Sequence, residues 1–186
     1  MLPFFTWRIN PQNDRTLLHN SLSQNPGYML ENCATSCAKA SKASQNIEKE
    51  LASISSFYDL EAKDINGKAI KFEQFQGKVV IIVNVASYCG YTESHYRGLV
   101  DLWNNVEKEE VDILAFPCNQ FGAQEPESNS NIAKFAKAKG AKFTMMSKVD
   151  VNGPDAHLVY KYLKREAGPS SISWNFGTLP FTTDSV

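Results

Sequence analysis

No stretch of this sequence is long and apolar enough to cross a bilayer. Its longest apolar run, VVIIVNVA from Val79, falls far short of the roughly 20 residues a membrane helix needs, so it reads as a buried strand. A signal peptide is equally unsupported, because MLPFFTWRINPQNDR has neither a basic leading region nor a small-residue cleavage site. Neither sign of charge is in excess: 19 Lys and Arg stand against 20 Asp and Glu. With no nucleic-acid-binding motif either, nucleic acid is excluded as a partner. Cysteine is scarce. The four, Cys33, Cys37, Cys89 and Cys118, are too few for a disulfide scaffold in 186 residues, and their spacing is not that of a zinc site. His19, His95 and His157 lie far apart, form no metal-ligand pattern and read as ordinary surface or packing residues. No metal and no cofactor is expected.

The hydrophobic share of 42% suits a globular core. From residue 1 to about 55 the chain is rich in Asn, Ser, Gln and Lys with weak periodicity, and a poorly ordered N-terminal extension is expected there. A domain spans 56–186. It opens with a hairpin turning at Asn66-Gly67, where both positions tolerate positive φ. The strand KVVIIVNVAS follows, then a helix from about Thr92 to Lys108 on which Tyr96, Leu99, Val100, Trp103 and Val106 fall near helical spacing. VDILAFP reads as a second buried strand, and about 130–139 as a helix presenting Ile132, Phe135 and Ala136, with Gly140 as its left-handed cap. KFTMMSKVDV reads as a strand, and GPDAHLVYKYLKREAG as a helix with Asp155 in its first turn. Strands separated by helices imply an α/β fold with a largely parallel sheet covered on both faces.

Cys89 sits between a buried strand and a helix start, in NVASYCGYT. Unsatisfied N–H groups and the helix dipole there favour an anion, and only a thiolate attacks peroxide oxygen. Gly90 leaves the approach open. A buried cysteine that merely packs fits the same position, so on position alone both readings stand.

NVASYCGYT, AFPCNQFGAQEPESN and SWNF together resemble, in order and spacing, the three signatures of the glutathione peroxidase family, over about Phe57 to Phe176. The resemblance implies a thioredoxin-like, three-layer α/β/α fold and reduction of hydrogen peroxide and organic or lipid hydroperoxides. It makes Cys89 the peroxidatic residue and Gln124, Trp174 and Asn175 its catalytic partners. The chemistry suits them: amide and indole N–H groups are neutral donors that stabilise a thiolate and a departing oxyanion without titrating. Trp103 reads as core. The helix after the second motif, NIAKFAKAKGAKF, lacks the resolving cysteine that many thioredoxin-dependent members carry. The reductant is therefore glutathione or a dithiol protein, with Cys118 as a candidate resolving thiol against a packing role. The short segment between the second and third motifs resembles the monomeric phospholipid-hydroperoxide type, which implies a monomer with an open site. Lys134, Lys137, Lys139, Lys142, Lys148, Lys161, Lys164 and Arg165 are candidates to attract glutathione or phospholipid headgroups, or form a solvated helix face.

Two departures stand out. Beyond SWNF the family continues with a strand and a helix, whereas GTLPFTTDSV is too short and turn-rich for both. A C-terminally truncated domain, lacking the usual final strand and helix and with an exposed sheet edge, is expected. At the other end, Asn25 to Cys37 resembles the close of a ShK-toxin-like module, read as a remnant because its upstream cysteines are missing. The cytoplasm is favoured, with the secretory pathway left open by that remnant. The alternatives to a peroxidase are a non-turnover peroxide sensor or relay protein and an inactive truncated homologue.

Overall fold

Seven residues rich in Val and Ile, Val79–Val85, form β3 at the centre of the molecule, because β-branched side chains fit a pleated surface packed on both sides. The computed structural model describes residues 49–167 and 171–181. Cys33, Cys37, His19 and the ShK-like pattern lie outside the described residues. The described residues belong to one compact unit. Residues 49–53 are helical, Ile54 is buried in the core, and Arg165 donates to the carbonyls of Leu51 and Ile54.

The hairpin pairs β1 (Glu61–Lys63) with β2 (Ala69–Lys71). Its turn differs from the expected one. Only Gly67 takes positive φ, at 86°, while Asp64 organises the turn by accepting from the N–H groups of Asn66 and Lys68, both at 2.9 Å. β4 (Val111–Pro117) runs parallel to β3, with α1 (Thr92–Asn105) as the crossover. α1 stops three residues before Lys108: Val106 is extended, and the Lys108 amine turns back to the carbonyls of Trp103 and Val106.

α2 (Asn129–Ala138) starts at Ser128, whose hydroxyl accepts from the Asn131 N–H, and ends before Gly140 at φ 84°. β5 keeps only Thr144–Met145, parallel to β4. Met146 and Ser147 instead reach the hairpin, through the Asp64–Met146 bridge and a bond to the Lys63 carbonyl. α3 (Leu158–Ala167) begins later than the sequence suggests. Gly153, at φ 84°, starts a turn closed by Ala156, so Asp155 lies ahead of the helix.

The segment after SWNF corrects the expectation of a missing strand. Thr178–Phe181 forms β6, antiparallel to β3, and the sheet order is β5-β4-β3-β6. Four residues suffice because β3 already presents a full row of backbone donors and acceptors, and Pro180 is tolerated on an edge strand. The expected lack of a final helix concerns residues outside the described ones.

Alternation along β3 and β4 divides the core. Val80, Ile82, Leu114 and Phe116 pack with α3 and the two 3-10 turns, Phe57–Asp59 and Phe72–Phe75. Val83, Val85, Ile113 and Ala115 pack with Tyr96 of α1 and Ile132 and Ala136 of α2. The sheet is therefore the middle of three layers, and the loops that carry Cys89 and Gln124 leave from the ends of β3 and β4.

Candidate active site

β3 ends at Val85, and six residues carry the chain to α1. Cys89 lies in this loop, two positions before the N-cap Tyr91, free and only 8% exposed. Tyr91 provides no side-chain cap; Thr92 shapes the loop instead. Its hydroxyl donates to the Ala86 carbonyl at 2.8 Å and accepts from the Cys89 N–H at 3.1 Å. A Cβ built on Gly90 would meet nothing within 4 Å, so the chain has open space at Gly90.

The loop after β4 carries Gln124. It turns through Gly122 and Ala123, both left-handed at φ 63° and 51°, and the Ala123 conformation is strained for a residue with a Cβ. Two groups hold it. Lys148 donates from Nζ to the carbonyls of Glu125, Pro126 and Glu127, and the Tyr88 N–H, next to Cys89, donates to the Gln124 carbonyl at 3.0 Å. Glu125 is fully buried, with the Ser87 hydroxyl donating to Oε2 at 3.1 Å and Oε1 unpartnered among the described residues. Burial pushes its carboxyl up to about 6, although the Ser87 bond and Lys148 pull the other way.

The third element is the turn before β6. Asn175 is buried and donates from Nδ2 to Gln124 Oε1 at 2.8 Å, which leaves the Gln124 amide nitrogen as its donor end. Trp174 is 43% exposed, with its ring 5.8 Å from that of Phe121, and so is not a core aromatic. Phe176, left-handed at φ 63°, stacks on His95 at 4.6 Å and packs in the same buried cluster as Cys89.

Of the residues singled out in the sequence, Asn175 and Gln124 are joined directly, Gln124 reaches the Cys89 loop through Tyr88, and Trp174 flanks Asn175. Cys118 is placed elsewhere. It is 0% exposed, its side chain packs on the sheet face opposite the cluster that holds Cys89, and burial pushes its thiol up. His95 and His157 make ring contacts, with Phe176 and with Phe116. Trp103 packs edge-on against Phe143. Several of the candidate cations are engaged: Lys139 with Glu93, Lys161 and Lys164 with carbonyls, Arg165 with Glu166. Among the described residues no His, Cys, Asp and Glu cluster could hold a metal, and no helix is long and apolar enough to cross a membrane. Thr92, Glu125 and Asn84, which bonds the Trp174 carbonyl, were not singled out by sequence reasoning, and Lys148 was named there only as a candidate cation for anionic groups, not as the residue that holds the Gln124 loop. Only a polar residue inside the apolar run of β3 offered a signal for Asn84.

The model of the family described as Glutathione peroxidase matches residues 57–164. The chain is 49% identical over 126 residues to Glutathione peroxidase-like peroxiredoxin 2 of Saccharomyces cerevisiae, covering 65% of this chain and 77% of that protein. It is 46% identical over 134 residues to Phospholipid hydroperoxide glutathione peroxidase 1, chloroplastic, of Arabidopsis thaliana, covering 70% of this chain but 57% of the relative's length. Among solved structures, Trgpx in its apo form aligns with a TM-score of 0.56 at 34% identity, covering 71% of this chain and 81% of that one.

Proposed function

The chain belongs to the glutathione peroxidase family, and from that premise we propose that it is a thiol peroxidase whose reacting atom is the sulfur of Cys89. The observation that carries this reading is the Asn175–Gln124 hydrogen bond, which ties the second and third motifs together beside the Cys89 loop. The Cys89 thiolate attacks the near oxygen of a hydroperoxide. An S–O bond forms as the O–O bond breaks, and the departing alkoxide takes a proton to leave as alcohol, or as water from hydrogen peroxide. Gln124, Asn175 and the Trp174 indole supply neutral N–H groups for the thiolate and the developing oxyanion. One reductant thiol then displaces water from the sulfenic acid to give a mixed disulfide, and a second releases Cys89. Glutathione or a dithiol protein fills that role.

The finer reading is that phospholipid hydroperoxides are accepted by a monomer. Tyr88 and Tyr91, 61% and 58% exposed, flank Cys89, and with Trp174 they give the site an amphipathic aromatic rim suited to a bulky acyl chain. The rim supports this better than the cations, several of which are tied to the protein's own groups. Cys118 is read as a packing residue, since it is fully buried and packs in a different cluster from Cys89.

Peptide mass spectrometry after one equivalent of hydroperoxide, with a sulfenic-acid trap, tests the central claim. Trapped Cys89 together with turnover on adding glutathione or thioredoxin is expected. Oxidation without turnover would make the chain a peroxide sensor, and Cys89 reacting no faster than Cys33 and Cys37 would remove the peroxidase reading.

A further inference from the structure

The six side chains around Asn84 on β3 are apolar, yet its own side chain is a fully buried amide. Such a group is costly to desolvate unless it is used. Asn84 grips the third motif at three points. Its side-chain Nδ2 donates to the Trp174 carbonyl at 3.1 Å, its backbone carbonyl accepts from the Phe176 N–H at 2.7 Å, and its backbone N–H donates to the Gly177 carbonyl at 3.4 Å. These three bonds bracket Asn175, whose own amide reaches Gln124.

The turn so held could not hold itself. Phe176 sits in the left-handed region at φ 63°, a conformation that persists only when its surroundings over-determine it. Gly177 fits because a Cβ there would lie 2.9 Å from Ile172 Cγ2 and 3.1 Å from Asn84 Oδ1. That oxygen is buried and has no hydrogen-bond partner among the described residues. The amide is thus committed through its nitrogen to one carbonyl, and its oxygen closes against a glycine.

We propose that Asn84 is the positioning residue that sets Trp174 and Asn175 over the Cys89 site for peroxide reduction. It touches neither substrate nor sulfur in this role; it acts through the turn. The assignment rests on the peroxidase reading above, but the hold itself can be read without any turnover. A displacement of about 1 Å in such a site is worth on the order of 100-fold in rate.

The test uses the full chain labelled with 5-fluorotryptophan, whose Trp7, Trp103 and Trp174 resonances are assigned by single Trp→Phe variants. In Asn84→Ala the Trp174 resonance is expected to shift or broaden while that of Trp103 stays. The second-order rate of Cys89 oxidation is expected to fall at least tenfold. Gly177→Ala presses on the same contact from the turn and is expected to give the same pattern with Asn84 intact, so one variant's failure to fold leaves the other decisive. If Trp174 is unmoved, or if it moves only together with Trp103, Asn84 is a core residue and the proposal is overturned. If Trp174 alone moves while Cys89 oxidation is unchanged, the turn does not serve the thiol, and the positioning role falls. Failure of the peroxidase reading looks different: the unsubstituted chain itself would leave Cys89 unoxidised.

Discussion

Glu125 shows how a single side chain can work against the fold that surrounds it. Its carboxyl is buried in the loop after β4 and raised from an ordinary 4.5 to about 6. Between those values the folded chain holds a proton that the unfolded chain has released, so stability is greatest at the low end and falls as pH rises through the window. At about 1.36 kcal/mol per unit the cost at neutral pH is at most about 2 kcal/mol. Glu125→Gln keeps an acceptor for the Ser87 hydroxyl and removes the charge. Urea unfolding at pH 7 should therefore show the variant up to about 2 kcal/mol more stable than the parent, with the difference closing near pH 4.5. A variant less stable at pH 7 would mean that the carboxylate is better satisfied than its burial suggests. Cys89→Ser, one atom changed at the proposed reacting position, should abolish peroxide reduction while leaving the melting temperature within a few degrees, as followed by circular dichroism.

The loop after β4 depends on Lys148, which comes 23 positions after the Glu125 carbonyl it binds. Lys148→Met keeps the apolar stem and deletes the ammonium that gathers three carbonyls. Peroxide reduction should fall about tenfold as Gln124 loses its register, and the Glu125 carboxyl should rise further because a nearby cation is gone. Gly67→Ala is the counterpart. Its φ of 86° sits in open space at the hairpin turn, so the change should cost about 1 kcal/mol in denaturant unfolding and leave the rate alone.

The same contrast explains what could be read in advance. β3, β4 and α2 came close to their observed bounds because apolar runs and helical spacing are local signals, and the candidate site residues Cys89, Gln124, Trp174 and Asn175 came from three motifs, of which the structure joins Gln124 and Asn175 directly. Asn84 was not singled out, and Lys148 was named only as a candidate cation for anionic groups, because each acts on backbone groups far along the chain, a relation that no period or spacing encodes. The start of α3 and the brevity of β5 were missed for a related reason: Gly153 and the hairpin redirect the chain where propensity alone would continue it.

The third motif hangs on the edge of the sheet. β6 follows the Trp174–Gly177 turn directly and pairs with β3, the strand that also leads to Cys89. The outer edge of β6 has no partner strand among the described residues. The four-residue pairing thus serves two ends, covering an edge of β3 and fixing the turn that Asn84 grips. At about 1 kcal/mol net per hydrogen bond it contributes a few kcal/mol. A chain stopped after Gly177 should then melt at least several degrees lower and aggregate on warming, since the bare β3 edge can pair with another chain. It should also lose peroxide reduction more steeply than stability at 25 °C, because the turn is freed before the core opens. Comparing the loss of rate with the fraction unfolded at each temperature separates the two effects. Equal losses would mean that β6 only buttresses the sheet; a rate lost while the chain is still folded would place the edge strand in the machinery that aims Trp174 and Asn175 at the thiol.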